Sequence, residues 1–131
     1  MKKIGLLNQP LSSVIAGMGH MDTLVIADAG LPIPMGTARI DLAVTQGIPG
    51  FLQVLRTALE EMQVEGAVIA SEMETRSPDM YRSLKDVLGS IPVRAVPHVE
   101  FKAQTATARA IVRTGEFTPY ANVILIAGVV F

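Results

Sequence analysis

The sequence predicts a single-domain α/β fold with a largely parallel sheet flanked by helices. Helical and extended segments alternate along the chain, which is typical of that class. Several extended segments are short apolar runs rich in β-forming residues, as buried parallel strands tend to be. The length of 131 residues fits one domain, residues 1–131, with enough chain to build a real core.

The first half of the chain predicts two helices and three strands. Leu11–Ala16 is a short helix candidate that begins after a proline and ends at glycines. Thr23–Ala27 is an apolar strand, and Arg39–Val44 alternates polar and apolar residues like a strand with one exposed face. Pro49 and Gly50 introduce a helix that runs through about Met62 and has its apolar residues, from Phe51 on, at helical spacing. Gly66–Ala70 is another buried strand.

The second half predicts two more helices and two more strands. A serine N-cap followed by proline and an acid begins a helix at Ser77 that stops at Gly89. Ile91–Pro97 is a strand whose proline in second position favours a sheet edge or a strand beginning. We expect a helix over Phe101–Val112 and a terminal strand over Val123–Ala127.

Composition excludes several classes of function. The net charge is −1 and no basic cluster occurs, so nucleic-acid binding has no electrostatic support. The chain lacks cysteine, which excludes disulfides and thiolate chemistry. Its longest apolar run, Val123–Phe131, is too short to span a bilayer as a helix. We therefore expect a cytoplasmic protein without a membrane partner.

The high apolar content predicts self-association. Half of the residues are hydrophobic and only 18% are charged, against about a quarter in typical domains. A small domain of this composition has few charges with which to cover its surface, and apolar contacts between subunits would bury the excess. We expect a homo-oligomer.

The stretch Gly17–Gly36 holds the first candidate site. His20 and Asp22 approach the Thr23–Ala27 strand, and Asp28 stands where that strand stops and a stiff Pro/Gly loop begins. The carboxyl ends of strands are where open α/β sheets usually bind ligands. Asp28 could equally be a turn residue that bonds the amides of its own loop.

Further candidates lie near the later strands. His98 directly follows a strand, and Lys102 would share its helix face at i and i+4, although an exposed helix lysine is the plainer reading. Tyr120 and Asn122 flank Ala121 before the last strand and would project to one side if that segment is extended. Their hydroxyl and amide suit sugar hydroxyls, but Tyr120 could simply pack.

Common cofactor and catalytic signatures are missing. The glycines of the Gly-Met-Gly-His-Met-Asp segment follow a helix, not a strand, which argues against a dinucleotide fingerprint. Neither a phosphate-binding loop nor a Gly-x-Ser-x-Gly elbow occurs. The two histidines lack metal-ligand spacing, so we expect no metal and no cofactor. Histidine titrates near neutrality, which leaves proton transfer on a polar small molecule as the accessible chemistry.

Four motifs resemble the D-ribose pyranase family, which is related to the fucose mutarotases, over essentially the full chain. They are Gly17-Met-Gly-His-Met-Asp, Asp28-Ala-Gly-Leu-Pro-Ile-Pro, Pro97-His98 with Phe101-Lys102, and Arg113-Thr-Gly-Glu-Phe-Thr-Pro-Tyr-Ala-Asn-Val-Ile-Leu. The resemblance implies a cytoplasmic isomerase that interconverts the pyranose and furanose rings of D-ribose without a cofactor. It also implies a ring-shaped homo-oligomer, expected to be a decamer, with sites near subunit contacts.

The resemblance further implies roles for individual residues. His20 matches the family's proton donor, and the sugar contacts match Asp28, His98, and the segment Tyr120-Ala121-Asn122. We add Lys102 to the predicted substrate-binding residues because it shares a motif with His98. Three alternatives stay open: a mutarotase for another sugar such as fucose, a non-catalytic sugar-binding or regulatory module, and a metal-dependent hydrolase. His98 and the Gly-Leu-Pro-Ile-Pro continuation, which the fucose branch lacks, favour ribose.

Overall fold

The computed structural model describes all residues, Met1–Phe131. It contains six strands, five α-helices and one 3₁₀ turn. In chain order they are α1 (Gln9–Ala16), β1 (Thr23–Ala27), β2 (Arg39–Asp41), α2 (Phe51–Glu61), β3 (Val64–Ala70), α3 (Glu72–Arg76), α4 (Pro78–Leu88), β4 (Val93–Val96), α5 (His98–Gln104), the 3₁₀ turn (Thr105–Thr107), β5 (Ala110–Arg113) and β6 (Val123–Ala127).

The strands form one mixed sheet in the order β2-β5-β1-β6-β3-β4. Strand β5 pairs in parallel with β1 and β2, and β3 pairs in parallel with β4. Strand β6 lies between β1 and β3 and is antiparallel to both. The carboxyl ends of five parallel strands and the amino end of β6 therefore meet at one edge of the sheet, which we call the carboxyl edge. The predicted α/β class with a largely parallel sheet is confirmed.

Residues of β1 alternate between two apolar cores, one on each face of the sheet. Leu24 and Ile26 belong to the larger core, which includes residues from α1, α2 and α4. Val25 and Ala27 belong to the smaller core, which includes Phe101 of α5. Because side chains of a strand point to opposite faces in turn, both faces of β1 must be apolar, and helices cover both.

The predicted helix over Phe101–Val112 is wrong in its second half. Helix α5 ends at Gln104, and after the 3₁₀ turn the chain forms β5, which lies between β1 and β2. Ala110, Ile111 and Val112 are completely buried. We interpreted this apolar run as a helix face, but a short buried run with β-branched residues suits a central strand equally well.

Other differences are smaller. Strand β2 ends at Asp41, three residues earlier than predicted, and α3 was not predicted. Strand β4 is an outermost strand of the sheet, as Pro92 directly before it suggested. Ser77 occupies the N-cap of α4, but its hydroxyl donates to the Pro119 carbonyl at 2.7 Å and not to the helix. That bond ties α4 to the loop before β6.

No helix is both long and apolar enough for a membrane crossing.

Candidate functional site

Polar side chains from four separate elements meet at the carboxyl edge of the sheet. Asp28 follows β1, Glu72 follows β3, His98 follows β4, and Asn122 precedes the antiparallel β6. The register explains the meeting, since the next-to-last residues of β1 and β3, Ile26 and Ile69, both pair with Val123, the first residue of β6. Because β6 is antiparallel to its neighbours β1 and β3, the loop before β6 lies beside their carboxyl ends. This is where α/β sheets usually bind ligands.

Asp28 and Asn122 hold each other through two reciprocal hydrogen bonds. The Asn122 amide nitrogen donates to Asp28 Oδ2 at 2.8 Å, and the Asp28 backbone N–H donates to Asn122 Oδ1 at 2.8 Å. The Gly30 N–H donates to the other carboxylate oxygen at 2.9 Å. Asn122 is only 1% exposed. Asp28 is therefore both a turn residue, as the plainer interpretation held, and a fixed carboxylate at the edge of a pocket.

His98 is the first residue of α5 and is held through both its backbone and its ring. Its N–H donates to both Glu72 carboxylate oxygens, at 2.9 and 3.1 Å. Its ring stacks on Phe101 with 6.1 Å between centroids and meets Tyr120 edge-on at 5.0 Å. Nδ1 is buried without a hydrogen-bond partner. A neutral ring with its proton on Nε2 avoids burying an unpaired N–H, and this tautomer offers a donor to a ligand.

Two pKa values in this cluster depart from the ordinary range. Burial lowers the pKa of His98, and the nearby Lys102 charge lowers it further, while the carboxylates of Glu72 and Asp28 act in the opposite direction. The His98 N–H holds the pKa of Glu72 below its usual range. At neutral pH the site thus contains an ionised Glu72 and a neutral His98.

Asp28, His98 and Asn122 line a cavity of about 490 Å³ at the carboxyl edge. Its walls are Asp28, Gly30, Leu31, Pro32, Arg76, His98, Pro119, Tyr120 and Asn122. Tyr120 has a positive φ of 64°, and the Asn122 N–H donates to the Tyr120 carbonyl at 2.7 Å. The segment is a tight turn and is not extended, yet Tyr120 and Asn122 still line the same pocket.

Two predicted sugar-binding residues lie outside this wall. Ala121 is completely buried in the larger core. Lys102 is exposed on α5, one turn beyond His98, and is near enough to act on its charge. Ala121 would contact a ligand in this pocket only through its backbone groups. Lys102 would do so only if its long side chain moves toward the pocket.

His20 lies at the opposite edge of the sheet from Asp28. Residues 21–27 lie between the two and include all of β1, which by itself spans about 13 Å from Thr23 to Ala27, four steps of about 3.3 Å. His20 lines a second cavity, of about 480 Å³, together with the end of the chain from Ala127 to Phe131. Within one chain, the predicted proton donor cannot reach the pocket that holds the predicted sugar contacts.

Sequence reasoning missed two charged residues at the site. Glu72 caps the helix that carries His98, and Arg76 lines the pocket without a hydrogen-bonding partner in the chain. Glu72 lies two residues after the end of the buried β3 strand and so carries a signal similar to the one that drew attention to Asp28, a polar residue near a strand end. Arg76 reaches the pocket from α3, a helix that we did not predict. No three metal-ligating side chains form a cluster.

Comparison with known proteins places these features in a family. The model of the RbsD / FucU transport protein family matches residues 1–130. The D-ribose pyranases of Coprothermobacter proteolyticus and Symbiobacterium thermophilum are 56% and 59% identical to the chain, and each alignment covers all of both proteins. The chain belongs to the RbsD / FucU family.

The fold agrees with that of a solved member of the RbsD / FucU family. The structure of Bacillus subtilis RbsD complexed with D-ribose superposes with a TM-score of 0.97 at 44% identity, and all of both chains is covered. The predicted resemblance and fold class are confirmed. In this RbsD / FucU chain, the pocket combines the Asp28 carboxylate, a neutral imidazole donor and a phenol, which together can bind several hydroxyl groups of a small polar molecule.

Proposed function

We propose that this protein is a D-ribose pyranase, an isomerase that interconverts the pyranose and furanose forms of D-ribose. The observation that carries the proposal is the full-length identity of 56% and 59% to two D-ribose pyranases. The close superposition on a relative complexed with D-ribose supports the same substrate. The pocket that contains Asp28 and His98 suits such a substrate, because its wall offers charge-assisted and neutral hydrogen bonds.

The reaction needs proton transfer at two oxygens of the sugar. A cyclic ribose is a hemiacetal, and its ring opens when the ring oxygen gains a proton and the anomeric hydroxyl loses one. Closure through a different hydroxyl then changes the ring size. Positioned acid and base groups typically accelerate such steps by about 10²- to 10⁴-fold. Side chains of the kind found here suffice for that chemistry.

We assign His20 as the proton donor, and we assign Asp28, His98 and Tyr120 as the groups that bind the sugar. Asp28 accepts from a sugar hydroxyl on the carboxylate that Gly30 and Asn122 hold in place. His98 donates from Nε2, since its Nδ1 is buried. Asn122 acts on the sugar indirectly, by holding the Asp28 carboxylate. Lys102 remains a predicted contact through its side chain, and Ala121 remains one through its backbone.

The separation of His20 from this pocket supports a site shared between subunits. The edge that carries His20 exposes apolar side chains of Met21, Val130 and Phe131, which are 59%, 85% and 101% exposed. The carboxyl edge exposes Val99 and Phe117, which are 74% and 62% exposed. If one edge meets the other in a neighbouring subunit, His20 of the first chain enters the pocket of the second.

Contacts between two different surfaces lead to rings. Such heterologous contacts close when the rotation between subunits divides a full turn, and they form open filaments otherwise. The ring-shaped decamer implied by the resemblance contains contacts of this kind. A homo-oligomer of that type also explains why the composition is so apolar.

Saturation-transfer NMR on D-ribose tests the function. We expect the wild-type protein to speed magnetisation exchange between pyranose and furanose signals, and His20→Ala to lose most of that acceleration while still binding ribose in calorimetry. A wild-type protein that binds ribose without speeding exchange would identify a sugar-binding module instead. Faster exchange for L-fucose than for D-ribose would move the chain to the fucose branch.

A further inference from the structure

His20 pairs with a carboxylate that no motif indicated. Its Nε2 lies 3.0 Å from both Oε1 and Oε2 of Glu65. An ionised carboxylate only accepts hydrogen bonds, so the shared hydrogen belongs to Nε2. The His20 side chain is 52% exposed and that of Glu65 is 40% exposed. The pair therefore lies at the surface that, in the proposed function, meets the sugar pocket of a neighbouring subunit.

The backbones on both sides of this pair are tied down. Glu65 is the second residue of β3, at the point where the pairing of β3 with β6 shifts register. A side chain at Gly128 would approach the Glu65 Cβ to 3.0 Å, so glycine there allows the close approach of the chain end to Glu65. On the histidine side, the Met21 N–H donates to the Ala127 carbonyl at 2.9 Å. The contact is therefore built on ordered backbone on both sides.

We propose that Glu65 is a positioning residue that holds Nε2–H of His20 and thereby makes Nδ1 the atom that exchanges protons with the sugar. The inference rests on the proposed function. A carboxylate on one ring nitrogen fixes the orientation and tautomer of an imidazole, which leaves the other nitrogen for chemistry. Nδ1 of His20 makes no hydrogen bond within the chain, and it is free to serve in this way.

The proton transfer balances with Nδ1 in this role. Protonated Nδ1 gives its proton to the ring oxygen, and the bond between that oxygen and the anomeric carbon breaks. The electron pair of the anomeric O–H bond forms the carbonyl, and that proton leaves to water. On closure, the attacking hydroxyl loses its proton to neutral Nδ1 as the carbonyl oxygen takes one from water. Nε2 keeps its hydrogen bond to Glu65 throughout.

Glu65→Gln tests the inference, because the amide keeps the shape of the side chain but loses the charge. We expect kcat for ring exchange to fall on the order of tenfold or more while KM for ribose changes little, an effect of the size seen when a carboxylate that orients a metal-ligating histidine is removed. Glu60→Gln, an exposed change on α2, is the matched control and should leave both constants unchanged.

Nitrogen-15 NMR of labelled histidine gives a readout that does not depend on turnover. The chain has only two histidines, and a His98→Gln sample identifies the His20 signals. At about pH 9, where histidine is neutral, we expect the Nε2–H tautomer of His20 in the wild type and a mixture in Glu65→Gln. An Nδ1–H tautomer in the wild type, or unchanged kcat in Glu65→Gln with normal wild-type exchange, would overturn this inference alone. A wild type without exchange would overturn the proposed function, and this inference with it.

Discussion

At the scale of single residues, the pocket is organised before any ligand enters. Asp28 cannot turn away from the cavity without breaking bonds to Gly30 and Asn122. His98 cannot move without releasing Glu72 from its backbone N–H. Side chains held in this way lose little conformational freedom on binding, so more of each contact contributes to affinity.

Removing the Asp28 charge or its support should weaken ribose binding. Asp28→Asn keeps the shape but replaces a charge-assisted bond by a neutral one, which is roughly half as strong. Asn122→Ala removes the amide that holds the carboxylate. We expect Kd for ribose to rise on the order of tenfold in both variants, measured by calorimetry with the fold checked by circular dichroism. Asp86→Asn, an exposed change on α4, is the control. If both variants bind ribose with the affinity of the wild type, Asp28 and Asn122 serve only to form the turn and do not contribute to binding.

The lowered pKa of His98 predicts a pH-dependent stability. Below its ordinary value of 6.5 the unfolded chain binds a proton at this position that the folded chain resists. Stability from the neutral ring is therefore present above 6.5 and lost as the pH falls through the folded pKa. We expect the wild-type Tm to fall more steeply than that of His98→Gln between about pH 7 and pH 5. Parallel curves would contradict the burial of an uncharged ring.

At the scale of elements, one glycine fixes the loop beside the carboxyl edge. A Cβ at Gly115 would lie 2.6 Å from the backbone nitrogen and oxygen of Ile48 and closer still to the Thr45 carbonyl. Two backbone hydrogen bonds also join Gly115 to this loop, one to the Gly47 N–H and one to the Pro49 carbonyl. The loop after β5 can therefore pack against the loop before α2 only because residue 115 has no side chain.

Gly115→Ala should destabilise the protein because backbone atoms cannot yield to a new methyl group. We expect a loss of about 1–3 kcal/mol in the free energy of unfolding, in the range of overpacked interiors. Thermal unfolding followed by circular dichroism would measure it. Gly66→Ala is the matched control, since its new Cβ would meet Ile126 Cδ1 at an ordinary 3.5 Å. Equal Tm values for the two variants would show that the loop can move.

Most elements were predictable from local patterns, and the exceptions have physical reasons. β1, β6 and the helix from Phe51 follow directly from apolar runs and helical spacing. β5 was mistaken for helix because a buried run of four residues has the same composition in either state. α3 has a single buried residue, Met73, so it carries no apolar stripe to detect.

The sequence pointed to several of the residues that line the pocket, but not to how they are arranged. Asp28 and His98 stand at strand ends in the sequence, and strand order alone decides that these ends are neighbours. That order depends on the insertion of β6 between β1 and β3. This is a pairing between distant parts of the chain, and local sequence patterns do not predict it. The position of His20 before β1 already places it at the other edge. The partner Glu65 was invisible because it looks like an ordinary exposed residue of a strand.

At the scale of the whole molecule, the end of the chain should couple assembly to activity. Val130 and Phe131 are 85% and 101% exposed, beside His20. Removing residues 128–131 deletes this apolar surface and the glycine next to Glu65. We expect smaller species in sedimentation velocity together with lower exchange activity. A truncated protein that keeps the size of its assembly and its exchange activity would show that the chain end takes no part in the subunit contact.

The most direct test of a shared catalytic site is complementation between two defective chains. His20→Ala and Asp28→Ala should each show little pyranose–furanose exchange alone. Co-expressed and assembled in equal amounts, they form sites that combine an intact His20 from one chain with an intact Asp28 from the other. We predict recovery of about a quarter of wild-type exchange, as expected for random mixing at a heterologous contact. A mixed assembly no more active than its two components would contradict the account.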